Sequence, residues 1–194
     1  MAAPDNLGAS EGKPAFFYGT LMHPRILRQV IVNDGSHLQF CPAVLLGYTR
    51  HKVKDRSYPG IIPSAESTRL FNKGLGPDED VVRGTLVVGL TESDLEALDD
   101  FEDTGDETEE YARITVSVRP LAPLLSLSNH TEEEDALILL HAAPLPPREE
   151  LLPGIQVDTY VYCNTNDLEP DSWSFPDFVR NHAKLWFDYV AEKA

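Results

Sequence analysis

The chain has 194 residues, enough for one domain with a full hydrophobic core that needs no disulfide framework. Thirty-two acidic against sixteen basic residues give a formal charge of −16. That charge repels nucleic-acid phosphates and anionic lipid over a Debye length of about 8 Å, which argues against DNA, RNA and membrane partners.

The opening "MAAPDNLGASEGKPAFF" shows no basic segment followed by an apolar one, and no run reaches the length of a membrane span. Cys41 and Cys163 stand far apart without metal-type spacing, as expected of two ordinary thiols in a reducing compartment. A cytoplasmic location follows as the expectation.

Residues 1–13 are small and polar and read as a flexible tail, leaving 14–194 as a single domain. "PAFFYGTL" is a strand that exits through Tyr18, Gly19, Thr20 and Leu21. A glycine there has two readings. It can serve a tight turn, because glycine takes positive φ without steric cost. It can instead open an anion or oxyanion site, because a glycine at a helix start exposes backbone N–H groups.

"HPRILRQVIV" has Leu27, Val30 and Ile31 at helical offsets, with Pro24 acceptable in the first turn. "AVLLGYTRHKV" reads as a strand interrupted at Gly47, "SYPGIIPS" as a Pro-punctuated extended segment and "NKGLGPDED" as a loop. "VVRGTLVVGL" is a β-branched strand in which Gly84 and Gly89 mark a bulge and an end. The period then changes in "TESDLEALDDFE", where Thr91 is a helix cap and Asp94 its capping-box partner.

"YARITVSVR" alternates as a strand. An insertion near 120–154 follows, Pro-rich at both ends, with "ALILL" a strand or short helix inside it. "IQVDTYVYC" alternates again. A closing amphipathic helix near 174–192 carries Phe178, Leu185, Trp186 and Tyr189 on one face behind Ser174 as cap. Strands outnumber helices without a βαβ rhythm, which predicts an α+β fold with a mixed, barrel-like sheet and a few flanking helices.

One carboxylate falls where apolar residues should be. With Leu95 of "TESDLEALDDFE" at zero, Leu98 lies at about 300° and Glu102 at about 340°, on the stripe that faces the core. A carboxylate there is costly unless paired, and its pKa should rise toward neutrality, as a general base requires. If the helix ends before Phe101 the angle has no meaning and Glu102 is a surface acid; both readings stand on periodicity alone. Asp99, at about 40°, is the internal competitor.

"FFYGTL", "SYPGIIPS", "VRGTLVVGLTESDLEALDDFE", "EYARITVSV" and "VDTYVY", in that order, resemble the gamma-glutamylcyclotransferase-like superfamily, in particular its plant and fungal branch named for avirulence-induced genes. The resemblance spans roughly residues 15 to 165 and implies a small mixed fold around a β-barrel, with neither metal nor organic cofactor. It implies release of 5-oxoproline from a small-molecule gamma-glutamyl substrate by intramolecular cyclisation. The position matching Glu102 is then the general base, Tyr18, Gly19, Thr20 and Leu21 hold the substrate through backbone groups, and Tyr58 and Tyr111 are cleft residues. A departure from the family pattern lies in the acidic stretch between Asp103 and Glu110, and others in the insertion and the C-terminal helix.

Six histidines without paired spacing give no zinc signature, and no G-x-S-x-G elbow, P-loop or dinucleotide fingerprint is present. Two readings of function result: a cofactor-free gamma-glutamyl cyclotransferase, or a binding or regulatory module on the same fold without turnover. The oligomeric state has no sequence signal.

Overall fold

Period-two patterning builds the centre of the molecule. The computed structural model describes residues 12–76, 78–104, 109–129 and 134–193. In it β1 (Lys13–Phe17), β2 (Gln39–Leu46), β5 (Val81–Leu90), β6 (Tyr111–Pro120) and β8 (Ile155–Tyr162) join in the order β5-β1-β8-β6-β2, and β2 pairs back onto β5. The sheet is thereby a closed five-stranded barrel, parallel only between β1 and β8. The hairpin of β3 (Tyr48–Lys52) and β4 (Pro59–Pro63) stands apart from it, and β7 (Leu125–Ser126) adds to β2. With α1 (Pro24–Val30), α2 (Ser64–Phe71), α3 (Glu92–Phe101), α4 (Glu134–Ala142), α5 (Phe175–Asn181) and α6 (Ala183–Lys193) outside, the fold is α+β. The expected tail lies, as far as residue 11, outside the described residues.

Alternation sorts the core into two clusters. Phe16, Cys41, Ala43, Leu45, Leu86, Val88, Val116, Val118 and Val157 fill the barrel interior. Their neighbours of opposite parity, Ala15, Phe17, Phe40, Val87 and Tyr160, pack outward against apolar helix residues such as Ile26, Leu95, Leu98 and Phe178. Gly84 is not a bulge, because β2 and β5 stay in register through Ala43 and Gly84. It provides space instead: a Cβ there would lie 2.3 Å from the Phe17 carbonyl oxygen and 2.5 Å from the Phe16 ring. The irregularity between β1 and β5 falls between Lys13 and Ala15, opposite Gly89, whose φ is +97°.

The predicted caps form. Thr91 and Asp94 make a reciprocal capping box at α3, and Ser174 caps α5. Gly47, at φ +78°, separates β2 from β3. Three further features go beyond the sequence reading. A short helix, α2, follows "SYPGIIP", and "ALILL" lies within helix α4. The C-terminal helix is two, α5 and α6, broken at His182 with φ −126°. The break rotates the later face, so Leu185 is 69% exposed while Trp186 packs on the core.

Candidate functional site

The exit of β1, the end of α3 and the entry to β6 converge on a cavity of about 260 Å³. Its walls include Tyr18, Gly19, Thr20, Leu21, Tyr58, Glu102 and Tyr111, so the residues that the family resemblance picks out lie around one cavity. Phe101, Tyr160, Trp186, Tyr189, Asp100, Asp103 and Glu110 complete much of the lining. Asp99 does not line it; this acid accepts a hydrogen bond from the Tyr160 hydroxyl at 2.9 Å and pairs with Arg113 at 3.4 Å.

The β1 exit is fixed from several directions. Tyr18 donates its hydroxyl to the Tyr160 carbonyl at 2.6 Å, and the Arg50 guanidinium donates to the Tyr18 carbonyl at 2.8 Å. Gly19 then leads into a single 3₁₀ turn, Thr20–Met22, whose opening amides have no acceptor within the turn. Glycine is not needed for a left-handed turn here, since its φ is −119°. What glycine provides is room, since a Cβ would lie 3.0 Å from Pro59 Cδ and 3.1 Å from Pro59 Cγ, tight enough that the ring would have to shift. The Tyr111 hydroxyl, donating to the Pro59 carbonyl at 2.7 Å, holds that proline against the glycine.

Helix α3 ends at Phe101 rather than before it, and the Glu102 amide still donates to the Leu98 carbonyl at 3.0 Å. Glu102 therefore continues the stripe of Leu95 and Leu98 and presents its carboxyl to the cavity. Among the described residues no cation pairs with it. Burial, and secondarily the charge of Glu110, push its pKa up to about 8 from the usual 4.5. At pH 7 roughly a tenth is ionised.

Burial also drives Tyr18 and Tyr111 upward, with Glu102 adding to both. The site therefore contains neutral phenols. Glu110 accepts the Tyr58 hydroxyl at 2.7 Å. The sequence reading assigns Trp186 and Tyr189 to the apolar face of the closing helix rather than to the site, and does not assign Glu110 to it; adjacency to Tyr111 is the one signal for Glu110.

Among the described residues no group of three His, Cys, Asp or Glu side chains is placed to hold a metal ion, and no helix is long and apolar enough to cross a membrane. What the arrangement offers is a carboxyl with a raised pKa, Glu102, beside a turn whose opening amides have no acceptor within it.

Known proteins share this framework. The "AIG2-like protein C" of Arabidopsis thaliana is 30% identical over 181 residues, covering 92% of this chain and 75% of the relative. The "AIG2-like protein B" of the same plant is 27% identical over 180 residues, 91% of this chain and 75% of its own. A solution structure of another Arabidopsis thaliana protein matches with a TM-score of 0.51 at 22% identity, covering 93% of this chain and 89% of that one, which is a likeness of fold. The sequence profile of the family described as "Gamma-glutamyl cyclotransferase, AIG2-like" matches residues 15–174, so the chain belongs to that family.

Proposed function

We propose that the protein is a cofactor-independent gamma-glutamyl cyclotransferase that releases 5-oxoproline from a small gamma-glutamyl amine or peptide, with Glu102 as general base and acid. The observation that carries this reading is a half-buried carboxyl, without a cation partner among the described residues, in the cavity that Tyr18, Gly19, Thr20 and Leu21 also line. Membership of the family supports it.

A gamma-glutamyl group brings its own nucleophile as an α-ammonium. At an effective dielectric of about 20, a unit charge about 4 Å away is worth about 4 kcal/mol, enough for Glu102, with its pKa near 8, to release its resting proton to solvent and become a carboxylate as substrate enters. Glu102 then takes a proton from the ammonium. The free amine attacks the γ-carbonyl and closes a five-membered ring, and negative charge moves to the carbonyl oxygen. Amides of the turn over Gly19, Thr20 and Leu21 receive that charge and the substrate α-carboxylate, each oxyanion donor being worth about 10² to 10³ in rate. Glu102 hands its proton to the departing nitrogen as the C–N bond breaks, and amine and 5-oxoproline leave. Both reacting groups belong to one molecule, so freezing the folded conformer supplies much of the acceleration.

The test is 5-oxoproline release from a panel of gamma-glutamyl amides and peptides. Glu102→Gln keeps the shape and removes the base, and should lower turnover by about 10² to 10⁴. Asp99→Asn, outside the cavity, should retain it. A fully active Glu102→Gln protein refutes the assignment, and binding of the panel without any 5-oxoproline favours the silent binding module.

A further inference from the structure

A second cavity, of about 130 Å³, lies where β3, α2 and the segment leading into β5 meet. Most of the polar groups around it already have partners. His51 donates from Nδ1 to the Glu169 carbonyl at 2.9 Å, which leaves Nε2 to accept the Ser67 hydroxyl at 3.0 Å. The Thr49 hydroxyl donates to Ser64 Oγ at 3.3 Å, and Glu79 accepts from Lys73 and from the Gly76 amide.

Arg50 is the exception. Its Nη1 donates to the carbonyls of Tyr18 at 2.8 Å and Arg83 at 3.3 Å, and its Nε is buried without a hydrogen-bond partner. Lys13, Lys73, Arg113 and Arg148 each pair with a carboxylate, whereas Arg50 pairs with none among the described residues. The Trp173 ring, its centroid 5.2 Å from Arg50 Cζ, supplies partial charge only. Burial lowers the Arg50 pKa to about 10, so the side chain is still a cation at neutral pH. A desolvated cation without a counter-ion is unfavourable, and one that borders a cavity can obtain the counter-ion from outside.

We propose that this second cavity binds a small oxyanion of the phosphate class, held by the Arg50 guanidinium. The planar fork of donors suits such a group. Lys73 is exposed and its pairing with Glu79, at 3.3 Å, is a weak surface one, so it is free to swing to the anion as a second contact. Asp78 and Glu79 oppose an anion, but from exposed positions where water and salt screen them, whereas Arg50 acts from a half-buried one. The same guanidinium carries the Tyr18 carbonyl, and Tyr18 lines the cavity beside Glu102, so an occupant here touches the side chain that holds the β1 exit.

Calorimetric titration of the full chain with inorganic phosphate at neutral pH, against sodium chloride of matched ionic strength, tests this. Saturable one-to-one binding is expected, with a Tm raised by several degrees at concentrations far above Kd. Ser172→Glu places a carboxylate at an exposed position on the cavity wall and should weaken phosphate binding by about tenfold or more. Arg50→Gln should abolish it; because Arg50 also holds two carbonyls, Ser172→Glu decides the matter if that variant does not fold. Absence of saturable binding in the parent overturns the site. Binding that Ser172→Glu leaves unchanged overturns it too, since the ion then sits elsewhere. Methyl phosphate bound as tightly as phosphate supports a phosphorylated small molecule as the occupant, and weaker binding supports the free ion. 5-Oxoproline release is not the readout, so neither result bears on the cyclisation reading.

Discussion

Glu102 should be a cost to the fold, and the cost should depend on pH. Its carboxyl has a folded-state pKa raised to about 8 from 4.5, chiefly by burial and then by Glu110. Between those values the folded chain keeps a proton that the unfolded chain has lost, so stability falls as pH rises, by about 1.4 kcal/mol per pH unit, and levels off above 8. Full conversion gives about 5 kcal/mol, and solvent entering the cavity reduces it to about 2–4 kcal/mol. Glu102→Gln, neutral throughout, lacks this slope.

Urea unfolding of parent and variant followed by Trp173 and Trp186 fluorescence at pH 5 to 9 measures the difference, and the other acids cancel in it. The expected outcome is similar stability near pH 5 and a variant more stable by about 2–4 kcal/mol at pH 9. Parallel curves would mean that Glu102 is ionised and solvated in the fold, and the argument for a poised base would fail.

The other predictions concern the supports of the site. Gly19→Ala sets a Cβ against the Pro59 ring and should cost about 1–3 kcal/mol of overpacking, read as a Tm lowered by several degrees, with reduced 5-oxoproline release. An unchanged Tm and rate would show that the Pro59 ring yields freely. Asp94 is 2% exposed; burial alone would raise its pKa, but the Thr91 amide, His37, the Thr91 hydroxyl and Asn33 outweigh that and hold it below the usual carboxylate value. Asp94→Ala should cost about 3 kcal/mol near neutral pH. The deficit should shrink as pH falls through the folded-state pKa, opposite in sign to the slope of Glu102, and a deficit constant down to pH 2 would contradict it.

What the sequence made legible was local. Strand alternation, the Thr91–Asp94 box and the Ser174 cap depend on neighbours within a few residues, and they stand where the pattern put them. Gly84 was misread because the groups that need its missing Cβ, the Phe17 carbonyl and the Phe16 ring, come from a strand distant in sequence. Helix α2 was not apparent because it buries little, Ser67 alone, and Pro63 gives it no side-chain cap. One amphipathic pattern over 174–192 could not register the break at His182, after which Leu185 leaves the apolar face on which Trp186 stays. Trp186, Tyr189 and Glu110 are cavity residues only because α6 and β6 are folded back over the α3 terminus.

The separated motifs make physical sense once their contacts are counted as one device. "YGTL" contributes Gly19, "SYPGII" contributes Pro59 and "EYARITV" contributes Tyr111. The Tyr111 hydroxyl holds the Pro59 carbonyl while the Pro59 ring closes on Gly19. "LDDFED" supplies the acid, at a helix end that breaks the ordinary rule, since a helix C-terminus favours cations and the last turn of α3 has none. Of its acids, Asp99 is answered by Arg113 and Tyr160, and Asp100 and Asp103 are exposed to water. Glu102 has neither remedy among the described residues, and it is the one whose side chain meets the cavity beside Glu110. A sequence selected for stability alone would place a lysine or an apolar residue there. On the proposed reading the acid answers to what enters the cavity, a substrate ammonium that draws Glu102 into its carboxylate form and then gives it a proton.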